Sequence, residues 1–482
     1  MIGAGLRRFR PVQTPPLPLP PPGPLWVQAS ASQPHPIDLR WVDELVADIR
    51  SRVVVRPEDE LLILVPNTPI KINATALRIL GAMVDEGATV AEVLAREGDG
   101  PARRLEIHNF FTDLTAWLKG SLGEGQGRRA VVSEPFSREF CRYPVLSEIA
   151  LTYRCNLACA FCYAGCGDPA AAGARTGLRE MSEAEIGRVL AAIRTAARCP
   201  SVSFTGGEPT LRPELPRLVR HAKNLGLTVN LISNGQLIDD RLAGELAAAG
   251  LDSAQLSLEG PDALTHDGLV GRAGAFARLW DAVGHLRSHG IRVHTNTTVN
   301  RRNLAHLERI VDLAAARGME RLTMNLLIPC GSAAGDPGLR VDYSEAGQHV
   351  LRVRARAEAR GVELIWYSPL PLCLFNTIAH GLGNRGCAAA DGLLHVGPAG
   401  DVLPCSSFEP HESLGNLLHQ GFEEIWQSPH ARFFREKRMM PSHCAGCADA
   451  DTCQGACVLY WRATGCAELG GDACALPPLP PG

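Results

Sequence analysis

The sequence lacks a surplus of either charge, lacks an apolar run of membrane length, and lacks a signal-like start. Lysine plus arginine number 48 against 51 aspartate plus glutamate, for a formal charge of −3 over 482 residues. Without a basic excess the chain is a poor fit to nucleic acid, and without a charge block it has no acidic or basic tail. Its apolar stretches fall far below the ~18 residues of a membrane helix. Arg7 and Arg8 lead into prolines rather than an apolar segment, so export is not expected and a cytoplasmic location is. The length is too great for one hydrophobic core and calls for roughly two to four domains.

Cysteine, by contrast, is abundant, with 16 residues. In a small secreted chain that would mean disulfides; here it points to reduced thiols holding metal. The densest stretch is LTYRCNLACAFCYAGCG, Leu151 to Gly167. Its Cys155, Cys159 and Cys162 form a C-x3-C-x2-C triplet on the loop leaving an apolar strand at Ser147 to Thr152. Cysteine sulfur is the usual ligand of a 4Fe-4S cluster, and three thiolates leave the fourth iron without a protein ligand. A small molecule can bind there. Structural zinc wants four ligands in paired C-x2-C groups, which this spacing does not supply.

These residues resemble the radical S-adenosylmethionine (SAM) enzymes, and the aromatic Phe161 before the third cysteine fits the same pattern. The resemblance implies that the amino and carboxylate groups of SAM chelate the open iron. An electron from the cluster then splits the sulfonium to a 5′-deoxyadenosyl radical, which takes a hydrogen atom from the substrate.

Along the chain, residues 1–45 are rich in proline, with Pro15, Pro16, Pro18 and Pro20 to Pro22 clustered, and are expected to be a disordered or extended tail. Residues 46–122 read as a compact α+β unit. Strands are expected at Val53 to Val55, Leu61 to Val65 and Ile70 to Ile72. A helix capped by Asn73 follows, then one capped by Thr89, then one over Ile107 to Leu118 with Phe110, Phe111, Leu114 and Trp117 inward. Three strands then three helices resemble the winged-helix-like PqqD-type peptide-recognition domain fused to peptide-modifying radical enzymes. That resemblance implies a leader peptide adding as a strand beside the third strand and against the last helix. An appendage that binds nothing is the alternative. Residues 123–143, with GSLGEGQGRR beginning just before them at Gly120, form a linker.

Residues 144–369 alternate apolar strands with amphipathic helices. Strands are expected at Ser147 to Thr152, Ser201 to Thr205, Thr228 to Ser233, Ser253 to Leu258, Ile291 to Val299 and Arg321 to Leu327. Ser182 and Glu185 make a capping box for the first helix. Six strand–helix units imply an α/β fold with a parallel sheet curled into a partial (β/α)6 TIM-type barrel, the arrangement the resemblance also implies. Sites in such barrels lie at the carboxyl ends of the strands. There stand Gly206, Gly207 and Glu208, then Ser233 and Asn234, then Ser257 and Glu259, then Asn296, Thr297 and Thr298. Paired glycines let backbone approach a ligand closely, and the resemblance gives Glu208 the SAM ammonium. Ser233 and Asn234 suit a ribose or the methionyl carboxylate. Many members carry aspartate where Glu259 stands. Cys330, after the sixth strand, is a candidate hydrogen-atom donor to a substrate radical, with a spare buried thiol as the alternative; Cys141, Cys166 and Cys199 read as structural.

Residues 370–476 hold a second cysteine pattern. Cys387 precedes Gly400 and Cys405, and Cys444, Cys447, Cys453 and Cys457 follow as C-x2-C-x5-C-x3-C, with Cys466 and Cys474 beyond. This resembles the SPASM extension, which holds two auxiliary 4Fe-4S clusters; a pair of zinc knuckles is the alternative. The resemblance implies one cluster on Cys387, Cys405, Cys457 and an upstream residue, Cys373. It implies a second on Cys444, Cys447, Cys453 and either Cys474 or Cys466, the spacing favouring Cys474. Residues 477–482 are a short tail. Three clusters and SAM are therefore expected, with a precursor peptide and a ferredoxin or flavodoxin as partners and peptide crosslinking or related C–H oxidation as the activity. Oxidation of tetrapyrrole side chains or of a sulfatase-type protein residue is the alternative enzyme reading. A non-catalytic iron–sulfur carrier or peptide scaffold is the third, and the intact Gly206-Gly207-Glu208 speaks against it.

Overall fold

The computed structural model describes residues 37–66, 68–118, 131–132, 141–166, 175, 177–383, 386–470 and 475–477. Most of the expected proline-rich tail, most of the linker, Cys474 and residues 478–482 lie outside them. The chain forms two compact units that divide near residue 134.

The N-terminal unit opens with a helix absent from the sequence expectations, α1 (Arg40–Ile49), which straddles the expected boundary between tail and compact unit at residue 45. Its Val42, Val46 and Ile49 recur at helical spacing and are all buried, so packing rather than local composition holds it. Strands β1 (Val53–Arg56), β2 (Leu61–Leu64) and β3 (Thr68–Ile72) follow, then helices α2 (Ala74–Val84), α3 (Val90–Glu97) and α4 (Pro101–Leu118). A buried Arg56–Asp59 ion pair at 2.7 Å closes the β1–β2 turn. Asn73 caps α2 by accepting from the Ala76 N–H at 2.8 Å, and Thr89 with Glu92 forms a capping box on α3. Ile107, Phe110, Phe111 and Leu114 of α4 are buried, whereas Trp117 is only partly so.

The sheet has a fourth strand, β4 (Val131–Val132), in sequence read as linker. It pairs antiparallel with β3, Lys71 opposite Val132 and Ile72 opposite Val131. The open edge of β3 offers unpaired N–H and C=O groups, and an extended β-branched pair nearby in the chain satisfies them.

The C-terminal unit is built on a ten-stranded sheet in the order β11-β10-β9-β8-β7-β6-β5-β12-β13-β14. Strands β5 (Leu146–Ala150), β6 (Ser201–Thr205), β7 (Thr228–Ser233), β8 (Ser253–Ser257), β9 (Arg292–Val299) and β10 (Arg321–Leu326) are the six expected. All are parallel to their neighbours, and the sheet stays open. A seventh parallel strand, β11 (Glu363–Trp366), follows the helix Tyr343–Arg360 and extends the β10 edge. At the other edge β12 (Leu393–Val396) pairs parallel with β5, and β13 (Asp401–Leu403) and β14 (Gly415–Asn416) continue antiparallel. The cysteine-rich tail thus begins by lengthening the barrel sheet.

Alternation decides the two faces. In β7, Val229, Leu231 and Ser233 are buried while Thr228, Asn230 and Ile232 are partly exposed. The buried set joins Ala254, Leu256, Val299 and the helices in one large core. The other face is polar and cross-linked strand to strand. Asn230 bonds Ser203 at 3.3 Å and Ser253 at 2.8 Å, His294 meets Gln255 at 3.3 Å, and Asn296 donates to Asn325 at 2.8 Å.

Candidate active site

The loop carrying Cys155, Cys159 and Cys162 leaves β5 and is braced by four separate elements. From the end of β6, Gly207 donates to the Thr152 carbonyl at 2.7 Å and Glu208 to the Arg154 carbonyl at 2.9 Å. From the end of β7, the Asn234 amide donates to Asn156 Oδ1 at 2.7 Å and lies 3.7 Å from Cys155 Sγ. From the helix Ala263–Val270, the Val270 and Leu269 carbonyls accept from Ala158 and Ala160 at 3.1 and 3.0 Å, and Arg272 donates to the Asn156 carbonyl at 3.0 Å. Beyond β10, Ser332 donates to the Cys162 carbonyl at 2.9 Å. Phe161 packs with Leu327, Ala333 and Leu339.

The paired glycines are explained by this bracing. A Cβ on Gly206, whose φ is +137°, would stand 2.2 Å from the Thr152 carbonyl, and one on Gly207 2.3 Å from the Arg154 carbonyl. Both are glycines because the cysteine loop's own backbone comes that close, a requirement that precedes any ligand.

The three thiols are free and partly exposed. Burial pushes Cys155 up to about 11 and Cys159 upward as well. Cys162 is held below the ordinary thiol range chiefly by a hydrogen bond from Cys166. Cys166, read as merely structural, is therefore a neighbour of the triplet. Among the described residues no three Cys, His, Asp or Glu side chains converge on one point as a single ion requires. A cube of four irons is gripped at separate corners, so spaced thiols on a braced loop suit it.

The strand-end residues divide into two groups. Glu208 is fully buried and already engaged: Oε1 accepts from Thr210 N–H, Thr210 Oγ and Ser233 Oγ, and Oε2 from Asn234 N–H at 2.8 Å. It bolts the ends of β6 and β7 together, with one lone pair left for a ligand. Ser233 is occupied by the same bolt and by the Gly235 N–H at 3.0 Å. Thr297 is buried and donates to the Leu258 carbonyl at 2.6 Å. Asn234, Ser257, Asn296 and the Thr298 side of the mouth are partly exposed. Glu259 is buried, its Oε2 accepting from Thr298 N–H at 2.9 Å, and burial pushes its carboxyl up to about 8. His266 braces the same turn, Nδ1 accepting from the Glu259 N–H at 3.1 Å.

Sequence reading overlooked the polar ladder of the inner face, Gln255, His294 and Asn325, together with His266. The signal was present as alternation in SAQLS, where every second residue is polar, and as the unbroken polar run HTNTT inside β9. It also passed over Arg175, whose buried guanidinium donates to the Phe408 carbonyl and to Glu409, both at 2.9 Å, and so couples the barrel to the cysteine-rich tail. No local pattern marks that role.

In the tail, Cys387, Cys405 and Cys457 are mutual neighbours. The thiol of Cys405 is raised by burial first and then by Cys387, Cys457 and Cys330. The Cys330 thiol hydrogen-bonds Ser407 and is raised chiefly by burial, with Cys162 a lesser contributor, and Cys330 in turn raises Cys405 and Cys457. The Cys199 thiol donates to the Ser201 carbonyl at 3.4 Å, in keeping with a structural role, and Cys141 is buried.

Cys373, expected with Cys387, Cys405 and Cys457, follows Leu372, whose N–H donates to Cys453 Sγ at 3.3 Å, so its loop also meets the Cys444–Cys453 segment. The long interval between Cys373 and Cys387 gives that loop room to cross over. Cys466 is disulfide-bonded and so is not a free ligand.

A family model described as the radical SAM superfamily matches residues 149–314, and one described as an iron-sulfur cluster-binding domain matches residues 387–448. The AdoMet-dependent heme synthase of Nitratidesulfovibrio vulgaris is 30% identical over 280 residues, 53% of this chain and 73% of that protein. The PqqA peptide cyclase of Ruegeria pomeroyi is 30% identical over 343 residues, 70% and 87% respectively. Among solved structures, Streptococcus suis SuiB bound to precursor peptide SuiA has a TM-score of 0.63 at 16% identity, covering 86% of this chain and 95% of that one. The native anSMEcpe structure with bound AdoMet has a TM-score of 0.53 at 18% identity, covering 65% and 89%. With the open α/β barrel, the braced triplet and the tail thiols, these likenesses show that the chain belongs to the radical SAM superfamily, as an enzyme of 4Fe-4S clusters and SAM with a C-terminal SPASM domain.

Proposed function

We infer that this enzyme modifies a ribosomally made precursor peptide, forming a crosslink or a related product of C–H oxidation. The observation that carries this reading is the edge of β3, which accepts an added strand, β4, with α4 alongside. A leader peptide entering there would gain main-chain hydrogen bonds from the edge and selectivity from side-chain pockets. The N-terminal unit would then be a PqqD-like recognition domain. The relatives named PqqA peptide cyclase, and a fold shared with SuiB, whose structure holds its precursor peptide, support the same substrate class.

In this reading Cys155, Cys159 and Cys162 hold the cluster that takes SAM, and Asn234, Ser257, Glu259 and Asn296 face the cofactor at the strand ends. When bound, cluster and SAM supply a carbon radical able to take a hydrogen atom from an unactivated C–H bond. The polar inner face positions the peptide for that step. A crosslink costs the peptide two hydrogens, one leaving as an atom and one as a proton. The remaining electron needs an acceptor, the part the tail thiol sites would serve. If the Cys330 thiol returned a hydrogen atom instead, the product would be an epimer. A ferredoxin or flavodoxin is the proposed electron donor.

The likeness to relatives named AdoMet-dependent heme synthase favours a second reading, oxidation of tetrapyrrole side chains. It would leave the N-terminal unit without a task. The deciding experiment supplies the full chain, reconstituted anaerobically with iron and sulfide, with SAM, a reductant and the short peptides encoded beside its gene. We expect 5′-deoxyadenosine together with a peptide lighter by the mass of lost hydrogen. An unchanged peptide, alongside a carboxylated tetrapyrrole that loses carbon dioxide, would overturn the peptide reading.

A further inference from the structure

The tail contains seven free thiols among the described residues, and they separate into two neighbourhoods by contact rather than by order in the chain. Cys387, Cys405 and Cys457 form one. In the other, Cys444 and Cys447 are joined by a turn in which the Cys447 N–H donates to the Cys444 carbonyl at 3.2 Å. The Ala450 N–H donates to the Cys447 carbonyl at 3.2 Å, which carries the turn into the short helix Ala450–Cys453. Cys453 ends that helix, and its Sγ receives the Leu372 N–H at 3.3 Å from a different loop. That loop is itself folded over, Leu374 and Phe375 both donating to the Pro371 carbonyl, at 3.0 and 2.9 Å, so Cys373 is held at the tip of a tight turn. The loop of Cys373 therefore meets the Cys444–Cys453 segment at the sulfur of Cys453.

A backbone N–H aimed at a cysteine sulfur is what a thiolate ligand of an iron–sulfur cluster receives from its surroundings, and such bonds help set the cluster's potential. A second feature stands at the same place. Gln454, next to Cys453, is buried, and both polar atoms of its amide lack a partner among the described residues. Its side chain lies against Gly386, where an added Cβ would stand 2.2 Å from the amide oxygen. Gly386 precedes Cys387, so the unsatisfied amide is wedged between the two thiol neighbourhoods. An amide buried without partners is costly, and bound sulfide or thiolate at either side would give its N–H groups an acceptor.

We propose that Cys373, Cys444, Cys447 and Cys453 together ligate one auxiliary 4Fe-4S cluster, so that neither Cys474 nor Cys466 is needed to close it and the cluster at Cys387, Cys405 and Cys457 has only three ligands from that stretch of chain. This rests on the tail holding auxiliary clusters at all. The regrouping leaves one iron of the other cluster open to Cys330, the next thiol in that neighbourhood, or to a group of the substrate.

The test uses the full chain in a background with Cys155, Cys159 and Cys162 replaced by alanine, so that only tail iron is counted. Iron and acid-labile sulfide per chain, with electron paramagnetic resonance of the reduced protein, are the readouts. The background is expected to hold about eight irons, four per cluster. If it holds none, the premise of auxiliary clusters fails, and the proposal with it. In a variant also lacking Cys387, Cys405 and Cys457, adding Cys373→Ala is expected to remove the remaining four or so, whereas Cys474→Ala removes none. In a variant lacking Cys444, Cys447 and Cys453 instead, Cys373→Ala is expected to change nothing. The opposite pattern, in which Cys373→Ala strips iron only when Cys444, Cys447 and Cys453 are already gone, overturns the assignment. Cys373→Ser guards against misfolding, since a hydroxyl can take the ligand position. It should keep most of the iron while altering the signal of the Cys444 set alone, and an unaltered signal overturns the assignment as well.

Discussion

Asn234 Nδ2 stands 3.7 Å from Cys155 Sγ while donating to Asn156 at 2.7 Å, so a residue at the end of β7 reaches a thiol on the loop after β5. This contact joins the part of the barrel that would meet SAM to the part that would hold iron. Substituting Asn234→Ala removes a donor to the sulfur and a brace on the loop together. Outer partners of metal ligands typically matter about 10-fold or more. We expect the variant to bind its iron, to reduce at a more negative potential, and to form 5′-deoxyadenosine at least about 10-fold more slowly. Potentiometry beside a single-turnover assay checks both parts.

Gly206→Ala places a methyl group 2.2 Å from the Thr152 carbonyl at a φ of +137°. The collision is with backbone, which cannot swing aside. A strained residue of this kind costs on the order of 1–3 kcal/mol, and the steric contact adds to it. Thermal unfolding of the cluster-free protein should show the loss directly, and reconstitution should yield less iron at the triplet.

His266 sets a pH limit. Burial holds its imidazole down at about 4, and Nδ1 must stay unprotonated to accept from Glu259. Because the folded value lies below the ordinary 6.5, the stabilisation is complete above pH 6.5 and is lost as the pH falls toward 4. The full amount is about 3.5 kcal/mol, some 2.5 pH units at ~1.4 kcal/mol each. In His266→Asn the amide oxygen can still accept that N–H, but nothing titrates. Denaturant midpoints of the two proteins should converge as the pH drops from 7 to 4.5, the parent losing its advantage.

The pairing of Val131 and Val132 with β3 means that a leader strand would have to displace them. Net stabilisation per ladder hydrogen bond is about 1 kcal/mol, so two such bonds make the competition worth roughly 30-fold in affinity. Replacing both valines by proline, which removes two N–H groups, should tighten binding of a precursor leader by about that factor. Fluorescence anisotropy with a labelled leader peptide measures it.

The sequence alone determined what depends on short spacing and on alternation. The C-x3-C-x2-C triplet, the two adjacent glycines, the capping residues Asn73, Thr89 and Ser182, and the six parallel strands were all legible, because each is decided within a few residues by hydrogen-bond geometry or by a period of two or 3.6. The tertiary structure decided what depends on distant segments meeting. That the loop of Cys373 meets Cys453, that Glu208 spends its oxygens on Thr210, Ser233 and Asn234, and that Arg175 reaches Phe408 follow from how loops cross once the sheet has formed. The same holds for α1 and β4, whose few residues are ordered by the surfaces they cover and carry little preference of their own. Cysteine order along the chain is therefore a poor guide to which thiols share a cluster, since a loop of more than a few residues can turn either way and only packing chooses.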